Sequence, residues 1–482
     1  MLKKLSTATR LSVATVLVVL IAFTFAGCQK SNTQSFVAEY QDSLTKKDLM
    51  WMNNFAERGD GVGMITCVEK IALDKSACPQ FKNKYVFYIT QPIDHKHPEL
   101  GTFKQRVIVA FAGYNKPTEI VTEGYYLFGR YLQASYTDDI TKYFSANMII
   151  VEHRYFGKSV PFAGCIEQAD PKTLNWNYCT GEQEAADLHA VRTKFGMLFK
   201  GKWVASGVSK GGENCMAYTA YYPEDLDCSV PYVGPVCTSV SDGRTAVFMS
   251  DTTWNPQVRA KIIKFQRAML QNRATIFPLF YSAVKSIDNT LSDDKIKRFY
   301  EYWILDYGEN LYQYYYNLEK VEDADTLTPQ KIYDIATYYY DIPSVISYYK
   351  ENPTLYQFWI QSAKELGYYS FNLEPFKDLL TSYNGKDVPG LCMPEGLNFT
   401  FDNSLSNKIH SFLSVTKSKM IFIYGANDPW TAMRPLNTVH DNLKLYIVPG
   451  ENHTVNIQKM PAAMQAEVLA ILSSWLGVSA VN

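Results

Sequence analysis

Three residues of this chain have the types and the order of a nucleophile, an orienting acid and a base. Ser209 stands in Gly207-Val208-Ser209-Lys210-Gly211-Gly212, Asp428 in Gly425-Ala426-Asn427-Asp428-Pro429-Trp430, and His453 in Pro449-Gly450-Glu451-Asn452-His453. A serine hydroxyl attacks a carbonyl only when a base takes its proton, and that base needs a carboxylate to fix its tautomer. Ser209 ends an apolar, β-branched run that starts at Trp203, and residues 213–222 read as a helix. This setting makes the pentapeptide a nucleophile elbow, with the serine on strained backbone above a sheet edge. Glycines flank it because side chains there would strike the adjacent strand and helix. The N–H of Lys210 then points where an oxyanion would form.

Seven histidines contend for the role of base. His95, His97, His153 and His189 precede the serine, which is the wrong order for nucleophile, acid, base along a doubly wound sheet. His410 falls near the end of a helical insertion and His440 lies before a strand, whereas His453 follows a strand and precedes the last helix. Asp402 and Asp441 rival Asp428, whose position in a tight loop directly after a strand is the better geometry. The second oxyanion donor is expected from Thr122-Glu123-Gly124-Tyr125, where Gly124 lets the backbone approach a substrate carbonyl. Glu123 either meets the substrate or fixes this loop by hydrogen bonding.

These residues need a scaffold that brings distant segments to one rim. Strands are expected at residues 84–90, 105–111, 119–122, 147–153, 203–208, 229–236, 419–425 and 444–449, with Gln91 to His95 as an extended loop. Apolar helical spacing marks residues 182–198 and 460–476. Strands alternating with helices around an elbow define an α/β fold, the doubly wound, mostly parallel sheet of the α/β-hydrolases. From about Arg244 to about Asn398 the texture changes: tyrosines and other apolar residues recur at three- and four-residue spacing without β-branched runs. We read this as a large helical cap, inserted after the strand that follows the elbow helix. Most of its rings pack helix on helix, and a minority line a substrate cleft. The expected organisation is a signal segment over 1–27, a tether over 28–36, a core over 37–243 and 399–482, and the cap over 244–398.

The whole chain narrows the function further. A formal net charge of -1 over 482 residues, with no basic run beyond the N-terminus, argues against nucleic acid as a partner. Lys3, Lys4 and Arg10 precede an apolar run from Leu11 to Phe25, and Phe25-Ala26-Gly27-Cys28 resembles a lipobox. Cys28 is thus the expected lipidated first residue of an exported, membrane-anchored lipoprotein of the cell envelope. Setting it aside leaves an even number of the nine cysteines, which in an exported chain suggests disulfides. Cys67 with Cys78 and Cys165 with Cys179 close short loops and are the expected pairs. No Cys-x-x-Cys occurs and the histidines are scattered, so neither a metal nor any other cofactor is expected. Nothing in the sequence sets an oligomeric state.

The residues from Trp203 to Val236 resemble the bacterial secreted tripeptidyl aminopeptidase family of serine peptidases. The resemblance rests on the elbow Gly207 to Gly212, on Tyr222-Pro223-Glu224-Asp225-Leu226-Asp227 and on Tyr232-Val233-Gly234-Pro235. Pro117-Thr118 with Thr122 to Tyr125 is similar too. Gln91 to His95 and Glu152 to Gly157 resemble both this family and its relatives, the Pro-X carboxypeptidase and dipeptidyl peptidase II group. Asn427 to Trp430 looks like the aspartate loop shared with those relatives. The likeness spans most of the chain beyond the signal segment and is weakest in the cap. It implies an exopeptidase with Ser209, Asp428 and His453 as triad, releasing dipeptides or tripeptides from the free N-termini of peptide substrates. Glu213-Asn214-Cys215 after Gly212 departs from the family's usual elbow helix, which leaves the length of the released peptide open. An aminopeptidase also needs a carboxylate for the substrate ammonium. Glu152, Asp306 and Glu365 are candidates, with Arg154 as an alternative partner for Glu152. The same elbow and triad would serve an esterase or lipase. A tyrosine-rich lipoprotein without an active serine would instead be a surface binding protein for glycans or peptides.

Overall fold

The computed structural model describes residues 48, 52–53, 61–250, 255–346, 355–436 and 440–481. The expected signal segment, tether and lipidated Cys28 lie outside the described residues. Among the described residues, no helix is long and apolar enough to cross a membrane.

A nine-stranded sheet organises the chain. It opens with an antiparallel meander, β1 (Ile65–Ile71), β2 (Asn83–Pro92) and β3 (Thr102–Phe111), and continues with β4 (Thr118–Thr122). Helix α1 (Asp139–Phe144) then leads to β5 (Asn147–Val151), α2 (Gly181–Gly196), β6 (Trp203–Val208), α3 (Lys210–Tyr221) and β7 (Cys228–Tyr232). The strand order is β1-β2-β3-β5-β4-β6-β7-β8-β9, with β8 (Met420–Gly425) and β9 (Leu443–Val448) after the insertion. From β5 onward neighbours pair in parallel. Every residue of β4 and β5 is buried, as the run Asn-Met-Ile-Ile-Val requires of a strand covered on both faces. The fold is therefore an α/β-hydrolase sheet, and its parallel strands all deliver their carboxyl ends to one rim.

Between β7 and β8 the chain runs through α4 (Arg244–Ser250), α5 (Pro256–Gln271), α6 (Arg273–Ile287), α7 (Asp293–Tyr314), α8 (Pro329–Tyr339), α9 (Ile342–Ile346), α10 (Tyr356–Gln361), α11 (Val388–Cys392) and α12 (Ser404–Leu413). The longest, α7, starts where Ser292 Oγ accepts the Lys295 N–H and two aspartates occupy its first turn. Both features suit the positive end of a helix dipole. Its 22 residues reach about 33 Å. Tyr300, Trp303 and Tyr307 on α7 are fully buried and stack with rings from its neighbours, Phe280 on Trp303 and Phe265 on Tyr307. Most of the insertion's aromatics thus serve helix packing. A final helix, α13 (Ala462–Leu476), ends at Gly477, which takes the left-handed φ of 68°.

Two sequence expectations are corrected here, and one strand is added. Strand β1 was not anticipated, because the register with β2 shifts between Cys67 and Glu69 and breaks the alternation that marks a strand. Gln91 and Pro92 belong to β2 rather than to the loop after it. Neither short disulfide forms: Cys78 and Cys179 are buried free thiols, and Cys165 is disulfide-bonded elsewhere than to Cys179. The Cys78 thiol donates to the carbonyls of Asp74 and Ala134 instead.

Candidate active site

Ser209 links β6 to α3 at φ 60° and ψ −124°, a conformation that costs a non-glycine residue about 1–3 kcal/mol. The surroundings impose it. The Ser209 N–H donates to Tyr232 O at 3.0 Å, and the Ser209 carbonyl accepts the Glu213 N–H at 3.0 Å. Thr122 Oγ1, at the end of β4, donates to Ser206 O at 2.9 Å and Gly211 O at 2.6 Å, drawing strand and helix together across the turn. A side chain at Gly207 would collide with Gly211 O and Thr122 Oγ1, so the spacing read in the sequence reflects a steric requirement.

Asp428 and His453 occupy the loops after β8 and β9. Asp428 is completely buried and caps the turn that follows it, its Oδ1 accepting the Trp430 N–H at 3.1 Å. Its Oδ2 lies 2.7 Å from His453 Nδ1. That contact commits Nδ1 as a donor and leaves Nε2 free to take a proton. The His453 ring lies between Tyr314, at 6.0 Å and nearly perpendicular, and Trp430 at 6.5 Å. Ser209 and His453 line one cavity of about 360 Å³. Ser209 Oγ makes no hydrogen bond to the ring, a contact that is commonly loose before substrate arrives.

The loop after β4 packs against the elbow so closely that a Cβ on Gly124 would sit 2.7 Å from Gly211 N and 2.8 Å from Lys210 Cβ. In this loop the Glu123 N–H donates to Val121 O, and the Tyr125 N–H donates to Glu123 Oε1. The N–H groups of Gly124 and Lys210 find no acceptor among the described residues. The Lys210 side chain turns beneath them, its Nζ donating to Gly124 O at 2.7 Å. Burial lowers the pKa of that ammonium to about 8, against partial support from Cys179, Glu184 and Glu213.

The remaining sequence candidates separate clearly. Glu123 lines the same cavity as Ser209 and also fixes its loop, accepting from the Tyr131 hydroxyl and the Tyr125 N–H. Burial pushes its pKa up. Glu152 does not face either cavity beside Ser209. It is fully buried, pairs with Arg106 at 2.5 Å, and accepts from Leu127 N, Lys158 N and Ser159 Oγ. Its expected alternative partner, Arg154, instead grips Asp187 through two 2.7 Å bonds. Glu365 is likewise engaged, by the Gly181 N–H and by Gln361 Nε2. Asp306 lines a second cavity that includes Ser209 and reaches up among the insertion's helices. Sequence reasoning missed that Glu213 lines this cavity too, although its departure from the usual elbow helix was the available signal. Among the described residues, no group of three or more His, Cys, Asp and Glu side chains is arranged to hold a metal ion.

With this geometry in view, comparison with known proteins is informative. The profile of the PS-10 peptidase S37 family matches residues 69–482. Prolyl tri/tetrapeptidyl aminopeptidase of Streptomyces mobaraensis is 24% identical over 402 residues, covering 81% of this chain and 79% of that protein. Serine protease vicPb of Bipolaris victoriae is 35% identical over 115 residues, 21% of this chain and 20% of that protein. Among solved structures, proline iminopeptidase of Mycobacterium smegmatis aligns at a TM-score of 0.37 and 14% identity, covering 80% of this chain and 98% of that one. The family match begins within β1 and takes in the other eight strands, the insertion and every residue of the site just described. The chain belongs to the PS-10 peptidase S37 family and is a serine peptidase.

Proposed function

We propose that this chain is an exported serine exopeptidase that releases dipeptides or tripeptides from free peptide N-termini. The observation that carries the reading is the 2.7 Å contact between Asp428 Oδ2 and His453 Nδ1, with His453 and Ser209 on one cavity. In this reading His453 Nε2 takes the Ser209 proton as Oγ attacks the scissile carbonyl, while Asp428 holds the tautomer and offsets the imidazolium charge. The N–H groups of Gly124 and Lys210 receive the oxyanion. The imidazolium then protonates the leaving amine, and water enters to hydrolyse the acyl-enzyme by the same steps in reverse. Attack at the N-terminal end of the substrate is supported by the tri/tetrapeptidyl aminopeptidase relative. Export and lipid anchoring through Cys28 rest on the N-terminal sequence.

The test is Ser209→Ala against N-terminally free peptide amides. Turnover is expected to vanish while circular dichroism stays native, and retained hydrolysis of these amides would sink the assignment. For the anchor, Cys28→Ser should move the protein from the detergent phase to the aqueous phase on phase separation. Unchanged partitioning would refute it.

A further inference from the structure

The second cavity, about 440 Å³ in volume, runs from Ser209 into the helical insertion. Its wall is unusually acidic for a space next to a nucleophile. Glu213 and Asp306 line it and Asp341 stands with them, while Lys210 is the one cation among the described lining residues. Lys210 is already committed, its Nζ bonded to Gly124 O. Asp306 is nine-tenths buried and accepts from the hydroxyls of Tyr302, Tyr340 and Tyr369, which line the same cavity.

Glu213 differs from Asp306 in one respect. It is 3% exposed, yet its carboxylate accepts no hydrogen bond and forms no ion pair among the described residues. A buried carboxylate without a donor is costly, so such groups are retained where something else supplies the donor. Burial raises its pKa well above the carboxylate range, with Lys210 opposing and Glu365 adding to the shift. A cation placed beside it would restore the anion.

The spacing fits a peptide terminus. Glu213 lies one turn beyond Ser209 on α3, about 6 Å along the helix axis. At about 3.3–3.6 Å per extended residue, that separation corresponds to about two residues between a bound ammonium and the scissile carbonyl. We infer that Glu213, with Asp306 of α7 on the same cavity wall, anchors the free α-ammonium of the peptide substrate, and that the distance from this anchor to Ser209 sets the length of the fragment released. The inference rests on the exopeptidase reading above and adds to it the group that recognises the terminus.

Kinetics of the full chain on a matched pair of tripeptide amides, one with a free N-terminus and one N-acetylated, test it. Glu213→Gln should reduce the ratio of kcat/KM for the free over the acetylated substrate at least 100-fold, mainly through KM, and Asp306→Asn should reduce it about 10-fold. A merely structural role would lower both substrates alike and leave the ratio intact. Glu213→Asp keeps the charge and should recover part of the preference. If Glu213→Gln and Asp306→Asn both retain the wild-type ratio, the anchor is wrong while the exopeptidase reading stands. If the wild-type chain itself cleaves the acetylated peptide as well as the free one, the exopeptidase reading falls and the anchor with it.

Discussion

The backbone N–H of His453 donates to the carbonyl of Gln313, 3.1 Å away. Gln313 lies in the last turn of α7, so the loop that carries the histidine hangs partly from the helical insertion rather than from the sheet alone. Close by, the Tyr316 hydroxyl meets Glu451 Oε2 at 2.9 Å and Thr454 Oγ1 at 2.8 Å. Tyr316→Phe removes this side-chain tether and leaves the backbone bond. We expect a fall in kcat of about three- to ten-fold, with a loss of about 0.5–1 kcal/mol in stability because the site is half-exposed. Steady-state kinetics beside a thermal melt would separate the two effects, and an unchanged kcat would show that the loop does not depend on the tether.

Asp428→Asn keeps the shape of the loop but presents an amide to His453 Nδ1, which favours the wrong tautomer. In serine peptidases with the same contact this substitution costs about 10⁴-fold in kcat, and a similar loss is expected here without a change in the folded state. A loss of less than ten-fold would mean that Asp428 is not the orienting acid.

Gly124→Ala places a methyl group 2.7 Å from Gly211 N. The backbone on either side cannot yield as a flexible side chain would, so the loop after β4 must move away from the elbow. Overpacking of this kind costs about 1–3 kcal/mol, and a displaced oxyanion donor costs about 10²-fold in kcat. Urea unfolding and kinetics on the same preparation would test both. Normal activity would exclude this loop from the oxyanion site.

How much of this was legible before the fold was known depended on the kind of signal. The elbow, Asp428 and His453 could be read because sterics and strand order constrain them locally: Gly207 tolerates no side chain, and each partner closes a strand. The insertion could be recognised because spacing changes with secondary structure. Glu152 could not be placed, since its partner Arg106 lies on β3 and is brought to it only by sheet pairing. The disulfide expectations failed for a similar reason. Short loops between cysteines say nothing of where sheet and helices carry each thiol, and Cys179 ends buried in the hydrophobic cluster around Tyr155 and Trp176.

His153 supplies a pH prediction. Its ring is completely buried, Nδ1 donates to Arg154 O at 2.6 Å, and Nε2 has no partner. Burial, then the Lys210 charge, holds its pKa well below the usual histidine range. Below about pH 6.5 the unfolded chain takes up a proton that the native chain refuses, so this contribution to stability is complete above that pH and is lost as pH falls. The slope is about 1.4 kcal/mol per pH unit from this group. Denaturant titrations from pH 7 to pH 5 should show His153→Gln to be less stable at pH 7 and less sensitive to acid than the wild type. Parallel pH profiles for the two proteins would remove His153 as a cause.

The helices from Arg244 to Leu413 leave the sheet after β7 and rejoin it before β8. Ser209 is laid down before that excursion, Asp428 and His453 after it. Lengthening, trimming or exchanging the excursion therefore alters the company a substrate keeps without renumbering the steps of bond cleavage. The bond-breaking groups and Glu213 stay with the sheet, while the excursion brings Asp306 and, through α7, a hold on the histidine loop.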